Sequence, residues 1–312
     1  MDVVLLFPGQ GSQKPGMGRD LADAYRAARG VFEQADAALG VAISRLCFEG
    51  PETELTSTEN AQPALLTHGA AAWAVLMERL APHVRAAAGH SLGEFTAYHA
   101  AGAFTLGQAL RLVRRRGELM RDSGRQRPGA MAAILGLDPA AVDGVCERAS
   151  REAGLVVAAN YNTREQIVVS GEIAGVERAM ALAREAGAKR ALRLPVSGAF
   201  HSPLMEVASA GLREALDCSG MQTPAFPVYS NVTGHPVVDA DAARDLLLRQ
   251  LISPVRWVEL VERLAGDHPG ALFVELGPGN VLTGLVRRIV PGAATAPAGT
   301  AVEVEQLLER AA

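Results

Sequence analysis

The segment Gly89-His90-Ser91-Leu92-Gly93 constrains the fold of this chain more than any other. Before it lies Val84 to Ala88, a run rich in small apolar residues that reads as a strand, and a helical pattern resumes from Phe95. Gly-x-Ser-x-Gly at a strand-to-helix junction is the pattern of a nucleophile elbow, a sharp turn that lifts a serine hydroxyl clear of a sheet edge. Its glycines permit the strained turn. The backbone N–H of Leu92 then aims where negative charge would develop on an acyl oxygen, helped by the N-terminus of the following helix. As a bare pattern it also occurs in plain Gly-rich turns, so the surrounding chain has to decide.

Val3 to Phe7 is a continuous apolar run closed by Pro8-Gly9, as in a buried parallel strand. Gly9-Gln10-Gly11-Ser12-Gln13 is then a loop whose glycines let backbone and a Gln side chain approach something closely. Helical patterns cover Ala22 to Leu39 and Ala61 to Leu80. From Gly129 the texture changes. The pattern predicts a strand over Met131 to Leu137, a helix opened by Pro139 and reaching about Ala153, and strands over Val156 to Asn160 and Gln166 to Ser170. A helix over Ala174 to Ala186 and a strand over Ala191 to Pro195 complete a β-α-β-β-α-β order, that of a ferredoxin-like unit. The main pattern resumes with a strand at Val228 to Ser230, a helix over Ala242 to Leu251, a strand at Ala271 to Leu276 ended by Gly277-Pro278-Gly279, and a helix from near Val281. The expected class is α/β. Residues 1–128 and 198–312 should form a large subdomain with a parallel sheet, and residues 129–197 an inserted ferredoxin-like subdomain.

Composition removes several classes of function. A net charge of −4 offers no basic footprint for a phosphate backbone, so nucleic acid is not an expected partner. Cys47, Cys146 and Cys218 form no Cys-x-x-Cys pair and have no histidine at ligand spacing, which argues against a disulfide framework or a metal site. Met1 to Phe7 lacks the basic start and cleavage site of a signal peptide, and no apolar run approaches the length of a membrane span. A cytoplasmic protein is expected. The Ala/Pro/Gly stretch near residues 291–299 is the only low-complexity segment.

A serine hydroxyl needs a base, and the chain has seven histidines. His201 has the most suggestive surroundings, in the loop Ser197-Gly198-Ala199-Phe200-His201-Ser202-Pro203 where the inserted unit returns to the main one. His90 adjoins Ser91, but its ring should point away from it, a structural role. Arg116 lies in the run Arg114-Arg115-Arg116, which otherwise reads as a solvated face.

Gly9-Gln10-Gly11-Ser12-Gln13, Gly89-His90-Ser91-Leu92-Gly93-Glu94, Arg116-Gly117, Phe200-His201-Ser202, Arg249-Gln250-Leu251 and Glu275-Leu276-Gly277-Pro278-Gly279 occur in the order seen in malonyl-CoA:acyl carrier protein transacylases and polyketide-synthase acyltransferase domains. The resemblance runs nearly end to end and implies an α/β-hydrolase-like core. It makes Ser91 the acylated nucleophile, His201 its base, and Gln10 with the Leu92 backbone the oxyanion support. Gln250 resembles the position whose carbonyl holds the histidine, a dyad in which no carboxylate is needed to fix the tautomer. Arg116 resembles the residue that grips the free carboxylate of malonyl, work suited to a planar and always charged guanidinium. Asn160 and Asn162 resemble positions near the bound thioester.

The implied activity is transfer of malonyl from malonyl-CoA to the pantetheine thiol of an acyl carrier protein, for fatty acid or polyketide synthesis, by a monomer without cofactor or metal. Three alternatives stay open: an acyl-thioester hydrolase with the same serine and base, a carrier-binding module without catalysis, and a transferase for another extender unit such as methylmalonyl. Phe200 bears on the last, because the segment resembles the malonyl-selective form of the motif and a ring there would fill the space of an α-methyl group. One methyl in an apolar pocket is worth about 1–3 kcal/mol, so malonyl should be preferred over methylmalonyl by roughly 10- to 200-fold. Competition between the two thioesters should show that gap narrowed in Phe200→Ser; an unchanged ratio with lowered stability would leave Phe200 as packing alone.

Overall fold

The computed structural model describes residues 1–196 and 198–310; Ser197, at the expected end of the inserted unit, and Ala311 and Ala312 lie outside the described residues. One sheet has six strands in the order β10-β9-β1-β2-β7-β8. These are β1 (Val3–Phe7), β2 (Val84–Gly89), β7 (Val228–Tyr229), β8 (Pro236–Val237), β9 (Leu272–Glu275) and β10 (Thr295–Pro297). All pairings are parallel except the edge hairpin of β7 with β8. Every residue of β1 is buried, as a continuous apolar run in a two-sided parallel sheet must be. Phe7 pairs with Gly89, so the loops that follow β1 and β2, bearing Gln10 and Ser91, leave the carboxyl edge side by side. That edge is where open parallel sheets place their sites.

The second sheet comprises β3 (Gly129–Leu135), β4 (Val156–Thr163), β5 (Gln166–Glu172) and β6 (Arg190–Arg193) in the order β4-β5-β3-β6, antiparallel throughout. With the helices Pro139–Glu152 and Ile173–Glu185 it closes a core of its own, drawn entirely from residues between Ala130 and Ala191. β4 runs three residues past its expected end. Asparagine is a poor strand former, yet Tyr161 N–H donates to the Val255 carbonyl at 2.9 Å and Val255 N–H donates to the Ala159 carbonyl at 2.8 Å. This bridge, beside register shifts in the pairing with β5, carries Asn160 and Asn162 up to the large sheet's carboxyl edge.

Two readings of the sequence are corrected here, and one segment given no element in the sequence gains one. The helix expected over Ala22 to Leu39 is two, Arg19–Ala24 and Arg26–Leu39, because Tyr25 is extended at φ −125° and ψ 121°. No local breaker announces it; Arg29 donates to the carbonyls of Ala22 and Asp23 that the break releases. Residues 291–299 include the edge strand β10, whose backbone pairs with β9 despite its low-complexity sequence. Arg114, read as solvated, is only partly exposed, whereas Arg115 is exposed. Pro63 stands inside the helix Thr58–Leu80 and has no N–H for the Glu59 carbonyl one turn back, and Arg114 Nη1 donates to that carbonyl at 3.0 Å.

The helix Leu106–Gln126 starts from a Thr105–Gln108 capping box and lies against Thr58–Leu80. Gly117 makes that approach possible, since a Cβ there would stand 2.7 Å from Glu59 Cα. Arg116 is thereby pressed into the interior. Gly93 is tighter still, its virtual Cβ 1.9 Å from the Phe7 carbonyl oxygen. Gly93→Ala is therefore expected to cost at least the ~1–3 kcal/mol of an overpacked core, seen as a lower thermal midpoint. Gly144→Ala, exposed on the helix Pro139–Glu152 with open space around it, should instead raise the midpoint, by up to ~1 kcal/mol of helix propensity.

Candidate active site

Ser91 sits at φ 52° and ψ −106°, a conformation rare for a residue with a side chain. Such strain persists only where neighbours over-determine it, and here Asn231 does. Its Oδ1 accepts from Ser91 N–H at 2.7 Å while its Nδ2 donates to the Gly89 carbonyl at 2.7 Å, clamping both sides of the turn. Gln250 Nε2 donates to the Ser91 carbonyl at 2.9 Å. Leu92 opens the helix Leu92–Ala100, so its N–H has no intrahelical acceptor.

His201 is brought to the serine from the loop after β6. It too has positive φ, 57°, in a turn where Ser202 Oγ donates to the Ala199 carbonyl at 2.6 Å. Its Nε2 lies 2.7 Å from Ser91 Oγ, and its Nδ1 lies 2.9 Å from the Gln250 carbonyl and 3.2 Å from that of Ser253. Carbonyls only accept, so Nδ1 carries the proton and Nε2 is left to receive the one on Ser91 Oγ. Burial above all, and then the nearby Arg116 cation, push the imidazole pKa down to about 3. The ring is neutral at physiological pH.

Arg116 is 1% exposed. Its Nη1 donates to Gln62 Oε1 at 2.8 Å, and its Nη2 donates to Gln250 Oε1 at 2.9 Å and to Ser91 Oγ at 3.2 Å. The guanidinium also stacks over Phe95 at 5.2 Å. Burial lowers its pKa to about 10, still cationic at neutral pH. Among the described residues every hydrogen-bond partner is a neutral oxygen, which leaves the cation without a direct carboxylate there.

Ser91, Leu92, Arg116, His201, Gln10 and Phe200 line one cavity of about 420 Å³, walled by Asn160 and Asn162 from β4 and by Met120, Met131 and Val168. Gln10 stands at its rim with Nε2 donating to Thr58 Oγ1 at 3.3 Å. Gln250 lies behind the wall, reaching the cavity only through Arg116, Ser91 and His201. His90 makes no hydrogen bond to Ser91; it lines the same cavity, packs at a tilt against Trp257 and lies with Nε2 2.8 Å from Asn162 Oδ1. A second cavity, about 410 Å³ around Lys14 and His68, holds no serine or cysteine paired with a base.

Glu94, Asn231 and Gln62 went unread in the sequence. Glu94 is the sixth residue of the serine motif, and a glutamate in a segment otherwise made to be buried was a signal. Asn231 follows directly on the strand expected at Val228 to Ser230, the end at which site residues gather. Gln62 has no such mark; only helix packing turns it inward.

A serine on a strained elbow, a neutral buried histidine and a buried cation beside the attacking oxygen make an acyl-transfer site. The acyl transferase domain family matches residues 4–303, and the chain belongs to that family. It is 45% identical over 288 residues to a malonyl CoA-acyl carrier protein transacylase of Bacillus subtilis, covering 92% of this chain and 90% of the relative. The fold superposes on a crystal structure of the acyl-carrier-protein S-malonyltransferase of Bartonella henselae with a TM-score of 0.95 at 42% identity, covering 100% of this chain and 99% of the other. It also matches, with a TM-score of 0.95 at 40% identity and over 99% and 100% of the two chains, a malonyl-transacylase solved in complex with a type II polyketide-synthase acyl-carrier protein.

The lowered pKa of His201 displaces its protonation, and the loss of its basicity, to lower pH. Acylation of Ser91 from a thioester whose acyl group is uncharged, such as acetyl-CoA, should hold a level kcat/KM from about pH 8 to pH 5, where a histidine of ordinary pKa would have lost roughly 30-fold. Stopped-flow acylation across that range checks it; a break near pH 6.5 would assign the base elsewhere.

Proposed function

We propose that this protein transfers malonyl from malonyl-CoA to the pantetheine thiol of an acyl carrier protein through an ester on Ser91. The observation that carries the reading is the Arg116 guanidinium, buried and 3.2 Å from the nucleophilic oxygen, with neutral partners only. A carboxylate one methylene beyond the reacting carbonyl meets it directly and bidentately, and an uncharged acyl chain does not. The relatives' names and the complex with a carrier protein support the same substrates.

Ser91 Oγ attacks the thioester carbon as its proton passes to His201 Nε2. The Leu92 N–H and Gln10 amide stabilise the oxyanion. Collapse breaks the C–S bond, and the proton on His201 leaves with the CoA thiolate. The carrier thiol then attacks the ester and the same steps run backwards, His201 taking the thiol proton and returning it to Ser91. Asn160 and Asn162 line the way to the thioester. No cofactor enters this scheme, and nucleophile, base and cation all come from one chain, which suits a monomer. The free thiols of Cys47, Cys146 and Cys218 fit the reducing cytoplasm.

Mass spectrometry after mixing with malonyl-CoA should find the adduct on wild type and none on Ser91→Ala; an adduct persisting in that variant overturns the assignment. His201→Ala should acylate roughly 10²- to 10⁴-fold more slowly. Arg116→Ala should shift preference from malonyl-CoA toward acetyl-CoA, since a carboxylate left unpaired in a partly dry site costs several kcal/mol. An unchanged ratio would place the carboxylate elsewhere, and release of malonate without carrier protein at the rate of transfer would mark a hydrolase.

A further inference from the structure

Glu94 is wholly buried in the first turn of the helix Leu92–Ala100, and none of the steps above uses it. Its Oε2 accepts from Asn231 N–H at 3.1 Å and from Gln250 Nε2 at 2.7 Å, while its Oε1 has no partner among the described residues. The oxygen of the same Gln250 amide accepts from Arg116 Nη2 at 2.9 Å. One primary amide therefore separates a buried carboxylate from the buried guanidinium. The groups facing Glu94 are few. Arg116 approaches from the helix Leu106–Gln126, and Tyr98 lies one turn along Glu94's own helix with an unpartnered hydroxyl. The helix Ala240–Gln250 and the turn at Asn231 present only amides. His201 is on the far side of Arg116, against Ser91 Oγ.

With the cavity free, one cation and one anion balance across the Gln250 amide. On the reading that malonyl's carboxylate docks on Arg116, a second anion arrives in a site with one cation, and two carboxylates sharing one partner raise the pKa of one of them. The substrate carboxylate holds Arg116 directly. Glu94 has no direct ion pair, and its bare Oε1 has room to carry a hydrogen. We propose that Glu94 is a positioning residue that acts through Gln250 as an exchangeable countercharge, ionised while Arg116 is free and taking up one proton from solvent as the substrate carboxylate binds.

Burial already pushes the Glu94 pKa up to about 7, in range of such a change. Acyl transfer itself is proton-neutral, since the Ser91 proton leaves on the CoA thiol, so uptake reports Glu94. Acetyl-CoA has the same phosphates and no carboxylate, and serves as the control.

The test mixes enzyme with malonyl-CoA in weak buffer containing a pH indicator, and counts the Ser91 adduct in the same sample by mass spectrometry. Wild type should absorb about one proton per adduct near pH 8, falling toward none near pH 6, where Glu94 already holds it. Acetyl-CoA should absorb none at either pH. In Glu94→Gln the malonyl adduct should form without uptake. The KM for malonyl-CoA, rising by up to about tenfold per pH unit above 7 in wild type, should there be flat. A malonyl adduct formed near pH 8 with no proton absorbed overturns the inference, and wild type alone can show it, whether or not the variant folds. Equal uptake in Glu94→Gln also overturns it. Failure to form a Ser91 adduct in wild type would instead overturn the acyl-transfer reading beneath it.

Discussion

The hydrogen bonds of Gln250 tie the proposed nucleophile, its proposed base and the buried cation into one unit. Gln250 ends the helix Ala240–Gln250, and the last carbonyls of a helix lack intrahelical donors. Its carbonyl is therefore available to hold His201 Nδ1–H, work that a carboxylate performs in other serine enzymes. The side chain uses both N–H groups, on Ser91 O and Glu94, and its oxygen on Arg116. A buried amide satisfied on all these sides is fixed in orientation, because flipping it would set N–H against N–H at Arg116. The histidine tautomer, the guanidinium's position and the serine carbonyl are thus fixed by a single side-chain orientation.

Strain at the site is arranged in the same manner. Among the described residues, the two other than glycine with positive φ, Ser91 and His201, are the two whose side chains meet. Each conformation costs of order 1–3 kcal/mol and is held by a local polar clamp, Asn231 for the serine and the Ser202 turn for the histidine. Both clamps are buried, where a broken hydrogen bond finds no water to replace it.

Much of this was legible in the chain because it rests on local chemistry. The Gly89 to Gly93 elbow, the Pro139 helix start and the alternation of strands and helices after Gly129 each follow from residues adjacent in sequence. The pairing of Ser91 with His201, far apart in the chain, was legible only through the family resemblance of their two motifs. What was not legible rests on distant packing. Tyr25 breaks a helix without glycine or proline, residues 295–297 join a sheet on the strength of a free edge at β9, and Gln62 turns inward only because Gly117 lets two helices close. Asn160 and Asn162 fell at or beyond the expected end of a strand, since nothing local shows that Val255 would extend it. Arg114 looked like its solvent-facing neighbour Arg115, because the carbonyl it serves was released by a proline elsewhere in the chain.

One face of the small sheet closes a core of its own, while Met131, Ala159 and Val168 on that sheet join the large core, and the cavity lies beside this junction. Ser91, Arg116 and Gln250 belong to elements of the large sheet's body, whereas Asn160, Asn162, Met131 and Val168 reach in from the small one. Proton path and chamber shape are thus inherited from different parts of the molecule. Exchange of Met131 or Val168 alters the volume open to an acyl chain and leaves every hydrogen bond of the serine, the histidine and the arginine in place. Related chains can therefore diverge in the acyl group they accept while the reaction stays constant.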